Sequence, residues 1–261
     1  MIIDLQNLAL ELVQYAWPLL RIAGLLMIMP AIGVSFVPPS ARILLALTLT
    51  LVIAPITPVP ALTNLFSIEA AFMLAQELLL GMGMGFIMQL VFDAVTLGGQ
   101  TIAMSMGLGF AVFLDRARGV NVPVLGQFFL ILATLIFLAL NGHLRLLETI
   151  ALSFQSVPIG SDGMVMLTVR ELISFSAIVF AGAVQIALPA VTALLIANLA
   201  FGVMSRAAPT LNLFAVGFPV SLLFGIVVIY LSMDGFTEVF SSLIGAGLIS
   251  AENIASGVGG P

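Results

Sequence analysis

Three charged side chains sit inside stretches that are otherwise apolar: Arg21, Glu77 and Asp93. A carboxylate in such a setting can relay protons or coupling ions. An unpartnered charge at membrane depth is costly, so all three are expected to be buried charges facing protein or water rather than lipid. Glu77 and Asp93 lie sixteen positions apart, which is about 160° around a continuous helix. If one helix carries both, they do not share a site. Pairing of each with an arginine elsewhere is the competing reading to a proton relay.

Little other chemistry is available. The chain has no cysteine, so it offers no thiolate nucleophile, disulfide or Cys-ligated metal. Its seven basic residues are all arginine; without lysine there is neither a Walker A loop nor a Schiff base. Gly81-Met82-Gly83-Met84-Gly85 departs from GxGxxG because Phe86 follows. Gly81 and Gly85 instead form GxxxG, which lets two helices approach closely. Met84 and Met88 share one helical face and read as core filler. His143, the single histidine, follows Leu140-Asn141-Gly142 and reads as part of an interfacial turn. No GxSxG elbow supplies it with a nucleophile. No catalytic, cofactor-binding or metal-ligating set is expected, and the chain is not expected to be an enzyme.

The elements that must carry these residues follow from composition. Hydrophobic residues make up 62% and charged ones 7%, against about 45–50% and about 25% in soluble domains. Too few charges remain to coat a soluble domain, so an all-α membrane-associated chain is expected. The net charge of −5 excludes the basic face that a nucleic-acid partner would need. Six stretches approach the ~20 apolar residues of a spanning helix: 8–30, 40–60, 70–92, 122–142, 172–200 and 211–232. Six crossings, with the arginines counted by loop, place both termini outside. The first charges are Asp4 and Glu11, not the basic start of a signal peptide. Pro18, Pro189 and Pro219 fall within apolar stretches, where each removes a backbone hydrogen bond that neighbouring protein must restore. Broken helices packed on other protein are therefore expected. After Asp234 the sequence thins to a weakly amphipathic segment and a glycine-rich tail, residues 251–261, expected to be flexible.

The most unusual stretch runs from Leu97 to Asp115. It is rich in glycine, methionine and phenylalanine. It can be a helix continued by small-residue packing, or an irregular segment lining a cavity, where non-helical backbone is tolerated.

Residues 205–219 carry a resemblance. The run SRAAPTLNLFAVGFP, with Arg206, Pro209, Asn212, Phe214, Gly217, Phe218 and Pro219, resembles the signature of the FliR/SctT/SpaR family of type III secretion export-gate subunits. Two other blocks agree. One is Asn141-Gly142-His143 with Ser153-Phe154 and Pro158-Ile159-Gly160; the other is Met106-Gly107-Leu108-Gly109 to Asp115. The Phe-Ala-Val-Gly-Phe-Pro ending favours the flagellar branch over the injectisome homologues. The resemblance implies one domain over 1–261, with a FliP-like part (1–170), a FliQ-like part (171–250) and a tail. It implies hairpins of about six apolar segments in a helical hetero-oligomeric gate with FliP and FliQ, lying largely outside the bilayer plane. FlhA and FlhB would be further partners, unfolded flagellar proteins the cargo, and the basal body in the bacterial inner membrane the location. The 205–219 residues would be an assembly motif. Residues 104–121 would plug the pore, with Met104, Met106, Phe110 and Phe113 as bulk, Gly107 and Gly109 as pivots, and Asp115 and Arg116 at the polar edge. The rival from residues alone is a small-molecule or ion transporter coupled through Glu77 and Asp93.

Overall fold

The computed structural model describes residues 15–33, 37–57, 67–109, 124–161, 164–207 and 213–257. Among them are nine α-helices: α1 (Ala16–Ile28), α2 (Pro39–Ile53), α3 (Ile68–Ser105), α4 (Val124–Ala139), α5 (Gly142–Ser156), α6 (Met164–Phe175), α7 (Ile178–Ala207), α8 (Leu213–Leu231) and α9 (Met233–Ser256). No strand occurs among the described residues. The chain is an all-α membrane protein.

Local sequence explains where helices start and stop. Proline lacks a backbone N–H, and the first turn of a helix has no intrahelical use for one. Pro39 therefore opens α2, and Pro55 falls in the 3-10 turn Ala54–Ile56 that closes it. Pro18, expected to break its stretch, lies in the first turn of α1. Pro189 and Pro219 do lie inside helices, α7 and α8. A 62° bend separates α4 from α5. It falls at Asn141, whose φ of 56° is a left-handed value that asparagine tolerates.

The six expected crossings become four, or five. Pro39–Ile56, Ile68–Ser105, Val165–Met204 and Met233–Ser256 are long and apolar enough to span, and the bent α4–α5 pair would add one more. Placing both termini outside presupposes six crossings and does not follow from four or five. Helix α3 has 38 residues, about 57 Å at 1.5 Å per residue; it continues beyond 92 straight through Gly98 and Gly99. The segment after Asp234 is not thin. It forms the 24-residue α9, and its buried Phe236, Phe240, Leu243, Ile244, Leu248, Ala251 and Ile254 recur at helical spacing. Residues 258–261 of the expected tail lie outside the described residues.

The chain forms two compact units, each discontinuous in sequence. One draws on Met1–Leu90, Phe137–Ala177 and Ile244–Pro261; the other on Val91–Ile136 and Ile178–Leu243. Neither coincides with residues 1–170 or 171–250. In the first unit α1 packs on α2 and crosses α3 where both helices carry glycine. In the second, Phe92, Phe129, Phe236 and Phe240 form an aromatic cluster. The Phe129–Phe236 edge contact is 5.0 Å between centroids and the Phe236–Phe240 stack 5.9 Å. Gly98 and Gly99 of α3 lie there against Ile186 and Phe129, where a Cβ would come within 3.0 and 2.9 Å of their side chains. Of the two readings of 97–115, a helix continued by small-residue packing holds through Ser105.

Candidate functional site

The first unit encloses a fully partnered charge cluster. Arg21 of α1 and Glu77 of α3 are 0% and 1% exposed. The Arg21 Nε donates to Glu77 Oε2 at 2.6 Å, and Nη2 donates to Oε1 at 2.9 Å. Nη1 donates to the Ser153 Oγ and the Val157 carbonyl, both at 3.1 Å. The guanidinium carbon stands 4.4 Å above the Phe154 ring, a cation–π contact. The Gly160 backbone N–H donates to the Glu77 carboxylate. Planar, forked arginine matches a carboxylate with two parallel bonds, which a lysine could not do.

Glycine makes this possible. A Cβ on Gly24 would lie 2.6 Å from the Leu78 carbonyl oxygen, and one on Gly85 2.9 Å from that of Leu25. A Cβ on Gly81 would run into the Arg21 carbonyl itself. The backbones of α1 and α3 thus meet without side chains between them, within one turn of the Arg21–Glu77 bond. Met84 and Met88 on the same stretch are buried.

The arrangement holds two helices and a turn together, with four of the five Arg21 N–H groups donated. Both Glu77 oxygens are occupied, so Glu77 is a poor coupling carboxylate. Asp93, expected to be buried, is exposed and belongs to the other unit: the α3 turn around it buries Val91, Phe92, Ala94 and Val95 instead. His143 lies in the first turn of α5, its ring edge-on to Phe137. Its Nδ1 is buried without a hydrogen-bond partner among the described residues. No group of three or more His, Asp or Glu side chains that could hold a metal occurs among those residues.

In the second unit, α3 ends in a defined stop. Gly107 has φ +84°, a left-handed value that penalises any side chain. Its N–H donates to the Met104 carbonyl and that of Leu108 to the Ala103 carbonyl, the paired bonds of a Schellman cap. Met104 is 73% exposed. Met106, expected as free bulk for a plug, is 2% exposed and lies on Gly225 of α8. It is occupied by packing, because glycine leaves a hollow of the right size. Nothing lies within 4 Å of the Cβ position of Gly109, and Phe110, Phe113, Asp115 and Arg116 fall outside the described residues.

The 205–219 motif is only partly visible. Arg206 is exposed in the last turn of α7, where a cation opposes the helix dipole favourably. Pro209 and Asn212 lie outside the described residues. Phe214, Gly217, Phe218 and Pro219 are in the first two turns of α8, and the Phe218 ring lies 3.3 Å from the Cβ position of Gly107. Ser153, Phe154 and Val157 gather around Arg21 and Gly160 around Glu77, an attachment to the ion pair that the sequence pattern did not reveal. The signal was that an arginine and a glutamate in apolar helices demand partners; the partners' identity needed the fold.

The chain matches the bacterial export proteins, family 1, over residues 12–247. It is 38% identical over 212 residues to the flagellar biosynthetic protein FliR of Escherichia coli (strain K12), covering 81% of each chain. It is 33% identical to FliR of Aquifex aeolicus (85% of this chain, 86% of the relative) and 28% identical to FliR of Bacillus subtilis (92% and 93%).

Proposed function

We propose that this chain, which belongs to the bacterial export proteins, family 1, the family of FliR, is the subunit that forms the flagellar protein-export channel with FliP and FliQ. The observation that carries this reading is likeness to FliR over four fifths or more of both chains. The surface supports it. Ile43, Leu44 and Val52 on α2, Phe180 and Leu199 on α7, and Leu223 and Tyr230 on α8 are each more than 60% exposed. Gln185 and Thr192 are exposed on the same face region of α7, and polar side chains there suit helix–helix contacts better than lipid. Other subunits of an apparatus would cover such faces.

In this reading the chain does no covalent chemistry and passes unfolded flagellar proteins, with energy supplied by other components and with FlhA and FlhB as neighbours. It resides in the inner membrane at the flagellar basal body. A FliP-like 1–170 and a FliQ-like 171–250 belong to the same proposal, as does the 205–219 assembly motif. Replacing Arg206 or Asn212 by alanine is expected to reduce recovery of the chain with FliP and FliQ in mild detergent, and to abolish swimming. Normal complex and normal swimming in both variants would remove the assembly role. A wild-type chain that purifies alone, or as a small homo-oligomer, would favour the transporter instead.

The idle gate must hold back ions, and residues 104–121 are proposed to plug it, with Met104 at its fixed base on α3 and Phe110 and Phe113 as movable bulk. Hydrophobic constrictions exclude ions by dewetting. Gly109→Asp, in an assembled gate, is expected to raise membrane conductance while secretion continues. Conductance at the wild-type level would place the seal elsewhere.

A further inference from the structure

We infer that Met106 on Gly225 is a permanent joint between the end of α3 and the middle of α8, so that any motion of the chain between these helices begins beyond Leu108. Four observations within one unit converge on it. Met106 is 2% exposed. A Cβ on Gly225 would meet the Met106 Cε, Cγ and Sδ at 2.5, 2.6 and 2.8 Å; because Cγ is among them, the whole side chain and not only its tip would have to leave. Next door, Gly107 is pinned by its own left-handed turn and by the capping bonds that Gly107 and Leu108 donate, with the Phe218 ring against it. Finally, glycine is the least favourable residue inside a helix after proline, and at position 225 the methionine gives it a use. At Gly109, two residues on, no atom of the described residues lies within 4 Å of the Cβ position: the constraint from Met106 and Phe218 stops short of it. The joint brings together two stretches of sequence that look unrelated, the glycine–methionine run after 97 and the Phe-Pro run before 220.

The chain has no cysteine, so in a Met106→Cys, Gly225→Cys pair the two new thiols have only each other to pair with inside the chain, and cross-links between molecules show as a change in mass on a non-reducing gel. The sulfur that replaces Met106 Cγ would start close to the new Cβ, within the reach a disulfide needs. The joint itself is tested in membranes of resting cells and does not depend on the export reading; its consequence for transport does. Oxidation is expected to cross-link most copies, and the cross-linked chain to support secretion within about twofold of the same chain reduced, that margin being small beside the tenfold that a 1.4 kcal/mol change would produce. Failure to cross-link while both thiols still react with a maleimide would overturn the contact. Secretion lost on oxidation and regained on reduction would overturn its permanence. Should the reduced pair fail to accumulate, Gly225→Ala carries the test. Unseating Met106 should then speed hydrogen exchange at the Gly107 and Leu108 amides about tenfold, and unchanged exchange would overturn the joint. A wild-type chain that does not restore swimming counts against the export reading and leaves the cross-linking result standing.

Discussion

Glu77→Ala is expected to cost about 3–5 kcal/mol, the range for removing one partner of a buried ion pair. The loss is large because of what remains. Arg21 would keep its bonds to Ser153 and Val157 and its place over Phe154, but its buried charge would have no counterion. Removal of Arg21 is as severe, since it strips Glu77 of two of its donors and Phe154 of its cation. Replacing both, as Arg21→Met with Glu77→Leu, should recover most of the stability, because a well-packed apolar pair dispenses with the desolvation of two charges. Melting in detergent and the level of chain in membranes measure this. A Glu77→Ala chain as stable as wild type, or a double variant no better than the singles, would show that the pair does not lock α1 to α3.

A Gly81→Ala chain should lose about 1–3 kcal/mol, as overpacked sites do, and Gly81→Leu more. The added carbon meets the Arg21 carbonyl, which is backbone and cannot rotate away. Widening the crossing would also draw the guanidinium off Glu77, so two losses come together. Gly245 of α9 makes the opposite prediction: nothing lies within 4 Å of its Cβ position, and alanine there should stabilise by about 0.5–1 kcal/mol from helix propensity. Melting temperatures of the two alanine variants should therefore move in opposite directions from wild type. If both move the same way, close packing is not what the Gly81 position provides.

The helices were legible wherever apolar runs were bounded by proline or charge. Two boundaries were not. The stretch from Leu97 left a continued helix and an irregular segment both open, because a glycine can mark either a break or a neighbour's approach, and Ile186 and Phe129 are the neighbours of Gly98 and Gly99. Helix α9 was undervalued because its average apolar content is modest, although Phe236, Phe240 and Leu243 fall on one face. The buried charges were half legible. The physical cost of Arg21 and Glu77 was plain, but their pairing spans 56 residues and no local rule connects them. Asp93 looked equivalent by surroundings in sequence, yet its helix turns it outward. Periodicity alone cannot say which face has a neighbour.

The interleaving of the first unit has a consequence for synthesis. Glu171 accepts bonds from Ser250 and Asn253, and Gly83 lies against Thr168 and Ile254. The Asn253 partner is 82 residues downstream of Glu171, so at about 5–20 residues per second roughly 4–16 seconds separate the two on the ribosome. During that interval the sequence contributed by the second unit, from Ile178 to Leu243, is being made and inserted. A nascent chain stalled there carries a carboxylate waiting for a hydroxyl and an amide that do not yet exist. Helix α9 is thus the piece that closes the first unit, which can become whole only once Ser250 and Asn253 have been made.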